Sequence, residues 1–554
     1  MVEMNAGILR SSRADVVKRC ASLCLLGCIL IYPNIVYACA NSAGISYILT
    51  SMVYALPLVA LVGICRHRWV YSVLVVLLTI LSIIDLTMVD LYQSYLLPGA
   101  IISTIKTNPQ EAQEFYSTNL KEVVHWLPLV GLCVVACLMY RKTGFTRQRI
   151  AAMLTALLLP VGFVSAKVVV SYHSVLTLRY FVDNRILNRP PYNVFFQSVN
   201  TAKELHKRAA IASAKDTDFG ASRITPPMRE VYILAIGESL RYDNLSLNKQ
   251  YNHSTTPRLE QKEHLLLFDN YYSQGCLTML SVPMLLTRAT PQDFDLNFAE
   301  RSVIEPFREC GFKTFTIVNS TNLLALETYL SDGADSLIVV PNIVQDDSIL
   351  SGDKTMVHIV DSLVQQHDKL FIVMQFLGNH SFYTNYTREF DVYRPNANSC
   401  TAEERVGNDS LYINAYDNSI LYTDYILSSI IDAIDKPNTS SAFVFVSDHG
   451  ENITATGGGH GGNCSPTKTE YHVPFIFWWS DSYADIYSDK VERAYSRKTA
   501  KLNGDCIFYS LCDMAGITLD SAYAKPEWSV FSSTFEEHPR LILVPDGVSC
   551  ISAD

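Results

Sequence analysis

At 554 residues the chain is too long for one hydrophobic core, so at least two domains are expected. A net charge of −10 excludes the broad electropositive footprint of a nucleic-acid binder. Only 18% of residues are charged and the mean hydropathy is +0.14, apolar for a soluble protein, with the apolar residues gathered in the first third.

Five apolar runs come first, Cys20–Ala40, Ile45–Cys65, Trp69–Val89, Val123–Tyr140 and Ile150–Tyr172. Each is near or above the roughly 20 residues that cross a bilayer core. Basic residues before the first run and Ala38-Cys39-Ala40 after it imitate a signal peptide, but the four further runs favour a retained anchor. Arg10, Arg13, Lys18 and Arg19 precede span one, Arg66 and Arg68 follow span two, and Arg141, Lys142, Arg147 and Arg149 separate spans four and five. The positive-inside rule then places the amino terminus in the cytoplasm and everything after span five outside. The expected organisation is a transmembrane domain over residues 1–173, a polar bridging segment along the outer membrane surface over 174–228, and a catalytic domain over 229–554.

The outer loop at 90–122 is too long for a turn and holds TNPQEAQEF. Thr107 and Glu111 lie about one helical turn apart there. They read either as a helix cap with a solvated acid or as a pair facing a cationic lipid head group.

Beyond residue 229, strand candidates are Val231–Ile236, Lys313–Val318, Ser336–Val340, Leu370–Phe376, Phe443–Val446, Val473–Trp479 and Leu541–Val544, with helical patterns between several of them. That alternation predicts an α/β fold with a doubly wound, mostly parallel sheet. Such sheets keep their chemistry at the carboxyl ends of strands. VYILAI runs into Gly237-Glu238-Ser239, and FVFV runs into Ser447-Asp448-His449-Gly450. Two carboxylates and an imidazole delivered this way suit a cation of the zinc or manganese kind. Thr278, after a Gly-Cys-Leu turn, opens a helix expected to break at Pro283. By itself such a threonine is a helix cap; bound to a metal, its hydroxyl becomes a nucleophile. His380 ends another strand, and His460 sits in the Gly-rich TGGGHGG. Each reads as a packing histidine or as a proton-transfer or phosphate-contacting group. His472 reads as structural. The helix Asn414–Tyr425 reads as a packing helix, with Asp417 and Asp424 judged too far apart to share a face. Seven cysteines follow residue 270 with no C-x-x-C signature, and one or two disulfides are expected if this part is extracytoplasmic.

TNPQEA, IGESLRYDNLSLN, T-x-x-SVP from Thr278 to Pro283, NHSFY, YDNSILYTDY, SDHGE and HVPFIFW together resemble the phosphoethanolamine transferases that modify lipopolysaccharide, members of the alkaline phosphatase and sulfatase superfamily. The likeness spans nearly the whole chain. It implies zinc held by Glu238, Thr278, Asp448 and His449, with Thr278 as nucleophile. It also implies catalytic or phosphate-binding roles for His380 and His460, and substrate-binding roles for Thr107, Glu111 and Asn319. The implied donor is phosphatidylethanolamine among the membrane lipids, and the implied acceptor is lipopolysaccharide, on a core sugar or on lipid A. The implied location is the bacterial inner membrane with a periplasmic catalytic domain. Gln274 and Met284 stand where many lipid A-modifying members carry a disulfide, so the chain is nearer the members without it.

Four rivals share parts of this pattern. A lipoteichoic-acid-synthase-like enzyme would transfer glycerol phosphate, and a membrane-anchored phosphodiesterase would pass the group to water. A sulfatase activity is disfavoured because C-x-P-x-R, the formylglycine signature, is absent around Thr278. A non-enzymatic binding protein is disfavoured because all four of the implied metal-holding groups, Glu238, Thr278, Asp448 and His449, are present.

Overall fold

The computed structural model describes residues 13–40, 43–92, 95–97, 100–101, 104–105, 123–142, 154–156, 158, 186–212, 217–224, 226, 228–319, 333–340, 352–380, 383, 386–405, 407–454, 459–460 and 466–554. Thr107, Glu111 and nearly all of the fifth apolar run lie outside them. The chain forms two compact units, one over residues 1–101 and 109–203, the other over 102–108 and 204–554.

The first unit is built, among the described residues, on the helices α1 (Arg13–Ala40), α2 (Ile45–Gly63), α3 (Arg68–Tyr92) and α4 (Val123–Met139). Among the described residues the first three are long and apolar enough to cross a membrane, and α4 is a shorter apolar helix. Three to four apolar helices among the described residues thus precede the α/β unit. Leu26, Ile29, Leu30, Ala55, Val75, Leu129 and Ala136 fill the space between them. Val73, Val76, Leu77 and Ile80 on α3 and Val134, Val135 and Leu138 on α4 point outward, an apolar exterior that suits lipid. At one end, Arg19 donates to the carbonyls of Gly63 and Cys65 (3.2 and 3.1 Å), where the last carbonyls of α2 carry partial negative charge. Farther along, buried Asp85 accepts from Asn193 Nδ2 (2.8 Å) and from the Leu96 N–H (3.2 Å). Asn193 begins helix α5 (Asn193–Ala212).

The second unit holds a seven-stranded sheet made of β1 (Arg229–Gly237), β2 (Leu265–Phe268), β4 (Lys313–Val318), β5 (Ser336–Val339), β6 (Lys369–Gln375), β7 (Thr439–Ser447) and β8 (Phe475–Trp479). The short β3 (Tyr271–Tyr272) pairs with β9 (Leu502–Asn503) outside it. The sheet order is β2-β8-β7-β1-β6-β4-β5. β7, β1, β6, β4 and β5 are mutually parallel, while β8 runs antiparallel to both β7 and β2. Six of the expected strands are in this sheet, and the mostly parallel expectation holds. Two details differ. Leu265–Phe268 adds an edge strand that its four residues in LLLF left ambiguous with a helix segment. Leu541–Leu543 (β10) leaves the sheet and pairs antiparallel with Cys550–Ser552 (β11).

Helices cover both faces, which is why the central strands read as unbroken apolar runs. Along β1, Tyr232, Leu234 and Ile236 enter one core with Phe371, Val373, Val444 and Phe307. Val231, Ile233 and Ala235 enter the other with Ile372, Phe443, Phe445 and Met356. The first face is covered by α6 (Thr278–Leu286), the short α7 (Ile304–Glu309) and, farther along the chain, Cys506–Met514; the second by α8 (Gly352–Gln366) and α9 (Asp409–Ile434). Cys310, Cys400, Cys506, Cys512 and Cys550 are thiols, so the expected disulfides are not formed by them; two cores of this size need no such staple.

At the start of β1, Glu230 is wholly buried and pairs with Arg223 (2.6 Å), whose side chain is also buried. Removing one member of a buried pair strands the other charge. Arg223→Leu is expected to lower stability by about 3–5 kcal/mol, and adding Glu230→Leu to recover a large part of it. Thermal unfolding of the three proteins checks this; equal melting temperatures would contradict it.

Candidate active site

Four neighbouring parallel strands end side by side, and each delivers a residue singled out from the sequence. In register, Gly237 of β1 lies opposite Ser447 of β7, and Ile236 lies opposite Gln375 of β6. The next residues, Glu238 from β1 and Asp448-His449 from β7, therefore emerge level with one another. The Asp448 N–H continues the ladder to the Gly237 carbonyl (3.1 Å), and the Asn379 N–H to that of Glu238 (3.0 Å). His380 follows Asn379, and Asn319 follows β4.

Thr278 reaches this edge from α6. It is the first helical residue, and the cap position belongs to Leu277, whose side chain makes no capping bond. The Thr278 hydroxyl is thus free of capping duty. It donates to Glu238 Oε2 (3.2 Å) and lies 3.2 Å from His449 Nε2. The helix does not break at Pro283 but runs on to Leu286. Pro283 is the sixth helical residue, so it leaves one carbonyl, that of Met279, without its helical donor, and the helix still closes through the Thr287 N–H to the Pro283 carbonyl (3.0 Å).

His449 Nε2 is also 3.4 Å from Glu238 Oε1 and 3.4 Å from Asp448 Oδ2. Its Nδ1 pairs with the Gly450 carbonyl (2.8 Å), which fixes the tautomer that turns the Nε2 lone pair into the cluster. Asp448 Oδ2 is fully buried and receives no hydrogen bond within the protein. Burial, and then the neighbouring Glu238, raise the Asp448 pKa, whereas Asp448 and Glu238 together hold His449 above the ordinary imidazole value against its own burial. Four donors crowded this closely, one an orphaned carboxylate oxygen, fit a small cation. A tetrahedron with metal–ligand bonds of zinc length has edges of about 3.3 Å, close to the spacings seen here.

His460 stacks against His449, with ring centroids 3.9 Å apart, and its Nδ1 lies 3.2 Å from Glu451 Oε2. Ligand atoms of Glu238, His449 and His460 all fall within 4.8 Å of one another, so these three could also share a cation. Burial and the proximity of His449 lower the His460 pKa, with Glu451 opposing. Among the described residues, then, Glu238, Thr278, Asp448, His449 and His460 converge. His380 is near enough to act electrostatically on His460. Asn319 is buried in an adjoining cluster: its amide donates to Asp353 (2.8 Å), which also accepts from the Leu377 and Gly378 N–H groups leading to His380.

Several supporting residues were not legible beforehand. Ser239 adopts a left-handed φ of 58°, uncommon for a residue with a Cβ. The turn aims its N–H at Asp448 Oδ1 (3.1 Å) and its hydroxyl at Glu238 Oε1 (2.8 Å). Gly378 has a φ of +50° and passes so close to Glu238 that a Cβ would lie 3.1 Å from its backbone nitrogen. Glu451 was in view within SDHGE, but its pairing with His460 depends on a loop closure no spacing reveals.

Helix α9 is also more than packing. Tyr416 donates to the Ser239 carbonyl (2.6 Å) and accepts from the Arg241 N–H (2.8 Å). Ser419 and Thr423 hold the Asn379 amide (2.7 and 3.3 Å). Asp417 and Asp424 do share a face, since seven residues are two turns. Asp417 accepts from Asn244, Tyr251 and His253, and Asp424 from the Arg258 and Leu259 N–H groups. His472 stacks on Tyr242 (4.4 Å), in keeping with a structural part.

The Sulfatase family profile matches residues 230–517, more than half of the chain. The chain belongs to the sulfatase family. A curated relative, phosphoethanolamine transferase EptC of Escherichia coli, is 27% identical over 326 residues, 56% of this chain and 54% of that protein. The chain thus aligns with about half the length of such relatives. The solved membrane protein lipooligosaccharide phosphoethanolamine transferase A of Neisseria meningitidis has the same fold across 93% of this chain and 98% of its own, with a TM-score of 0.74 at 18% identity. The zinc complex of the E. coli EptC periplasmic domain covers 61% of this chain and 96% of its own, with a TM-score of 0.52 at 24% identity.

Gly450 approaches the chain at Thr469 so closely that a Cβ would sit 2.0 Å from that carbonyl oxygen. Gly450→Ala must therefore displace the turn bearing Asp448 and His449. Its expected effect is at least a tenfold loss of affinity for added zinc, read by competition with a chromophoric chelator. Unchanged affinity would show that the turn does not set the cluster.

Proposed function

We propose that this protein transfers phosphoethanolamine from phosphatidylethanolamine to a lipopolysaccharide acceptor, a core sugar or lipid A, through a covalent intermediate on Thr278. The observation that carries the reading is the Thr278 hydroxyl, uncommitted to its helix and 3.2 Å from both Glu238 and His449. The names of the sulfatase-family relatives, transferases of this group, support the choice of reaction.

Glu238, Thr278, Asp448 and His449 would hold the metal, which we take to be zinc. Bound there, it would supply Lewis-acid chemistry, acidifying the threonine hydroxyl and offsetting charge on the phosphoryl oxygens. Thr278 Oγ1 gives its proton to Glu238 Oε2 and attacks phosphorus in line. The bond from phosphorus to the diacylglycerol oxygen breaks, and that oxygen takes a proton from His380 or His460. An acceptor oxygen then attacks the same phosphorus, its proton going to the histidine that gave one up, and the bond from phosphorus to Thr278 Oγ1 breaks, that oxygen taking its proton back from Glu238. Ser239 fixes both carboxylates by hydrogen bonds, so the geometry is set before substrate arrives. Glu451 holds Nδ1 of His460 and leaves Nε2 for proton transfer. Thr107, Glu111 and Asn319 complete the proposed substrate contacts. The amino-terminal helices are read as inner-membrane spans, five in all, with the amino terminus cytoplasmic and the α/β unit periplasmic. Anchoring beside the donor lipid raises its effective concentration at the site.

Thr278→Ala is expected to cut transfer by on the order of a thousandfold or more and to leave membrane insertion intact. Incubation with labelled phosphatidylethanolamine, followed by mass spectrometry of the glycolipids and of the protein, checks both steps. Normal transfer by the variant would refute the covalent route. Labelled glycerol phosphate in place of phosphoethanolamine would favour the teichoic-acid reading. For Glu451→Gln, which keeps the size but loses the charge, a fall in rate of about 10–100-fold is expected, with zinc content unchanged.

A further inference from the structure

Helix α8 packs into the second core of the sheet through Met356, Val360, Leu363 and Val364. Asp353, its second residue, does something else. Its buried carboxylate reaches the chain just beyond β6. Oδ1 accepts from Asn319 Nδ2 (2.8 Å) and from the Leu377 N–H (3.2 Å), and Oδ2 accepts from the Gly378 N–H (3.2 Å). Burial raises the Asp353 pKa, but all three partners are donors and favour the ionised form. The helix opens with Gly352 because Asn319 lies against it: a Cβ there would sit 2.3 Å from Asn319 Oδ1.

Leu377 and Gly378 begin the turn that ends on His380. The His380 N–H donates to the Leu377 carbonyl (3.3 Å), and the Asn379 N–H donates to the Glu238 carbonyl (3.0 Å). Packing alone does not hold this turn. A cavity of about 10 Å³, the size of one water, lies against it, bounded by Gly237, Asp353, Gly378, Asn379 and Thr423. Hydrogen bonds fix it from three sides. Glu238 takes the Asn379 N–H, Ser419 and Thr423 of α9 take the Asn379 amide, and Asp353 takes the two N–H groups at the start.

We propose that Asp353 is a positioning residue that holds His380 where it can protonate the departing oxygen. The inference rests on the transferase reading and selects His380 from the two histidines named there. In the step concerned, Thr278 Oγ1 bonds to phosphorus, the bond from phosphorus to the leaving oxygen breaks, and that oxygen takes the His380 proton. A leaving group already stable as an anion needs no such proton. The part played by Asp353 is therefore visible as a dependence on the leaving group.

The test uses the full-length protein in detergent, zinc-loaded, and follows the rate at which Thr278 gains phosphoethanolamine by mass spectrometry. Two donors are compared, phosphatidylethanolamine and the p-nitrophenyl ester of phosphoethanolamine. Asp353→Asn keeps the shape but turns a donor toward an N–H in place of one acceptor oxygen. It is expected to slow labelling by phosphatidylethanolamine about 10–100-fold. Labelling by the p-nitrophenyl ester, zinc content and melting temperature are expected to stay close to wild type. Asp353→Ser, the second variant, is expected to repeat the pattern. Equal slowing with both donors overturns the proposal, because the residue would then act on the whole cluster. Unchanged rates with both donors also overturn it, as does a joint fall in zinc content and melting temperature in both variants. Wild-type protein that is labelled but passes nothing to lipopolysaccharide would sink the transferase reading alone. Wild-type protein that takes no label from phosphatidylethanolamine would end both.

Discussion

The site depends on the register of one strand. β1 is buried on both faces between β6 and β7, and its side chains alternate between two separate cores. A slip of one residue would exchange every side chain between those cores, so the pairing is strongly specified. Because the pairing is fixed, Glu238 and the Asp448-His449 pair leave the sheet at one level, from neighbouring strands. Residues more than 200 apart in sequence meet because the ladder carries them there. The cost of gathering two carboxylates in a buried place falls on this rigid frame and on the donors supplied by Ser239.

Much of this frame was legible in the residues. Both-face burial gives continuous apolar runs, so VYILAI and FVFV announced themselves, and the polar residues that ended them marked the site. What stayed hidden was non-local. LLLF is too short to separate a strand from a helix segment, and its pairing with β8 comes from the opposite end of the domain. Ser239 betrays its left-handed backbone by no residue preference, since serine is common everywhere. Asp417 and Asp424, seven residues apart, share a face of the helix, since positions two turns apart align. Their partners lie some 160 residues earlier, where no spacing rule reaches.

Thr278 illustrates how structure discriminates between two meanings of one residue. A threonine at a helix start is ordinarily a cap, with its oxygen turned back to the backbone. Here the helix begins one residue earlier than that role requires, so the hydroxyl faces the carboxylates. Side-chain direction, not residue type, carries the distinction.

Helix α9 has a consequence beyond support. Three loops, at Ser239–Arg241, at Asn379 and at Arg258–Leu259, hang from one 26-residue rod packed along its length. They can shift only as the rod shifts. A wall held in this way is cut before any guest arrives, and what it admits is decided by a fixed outline, as in a lock.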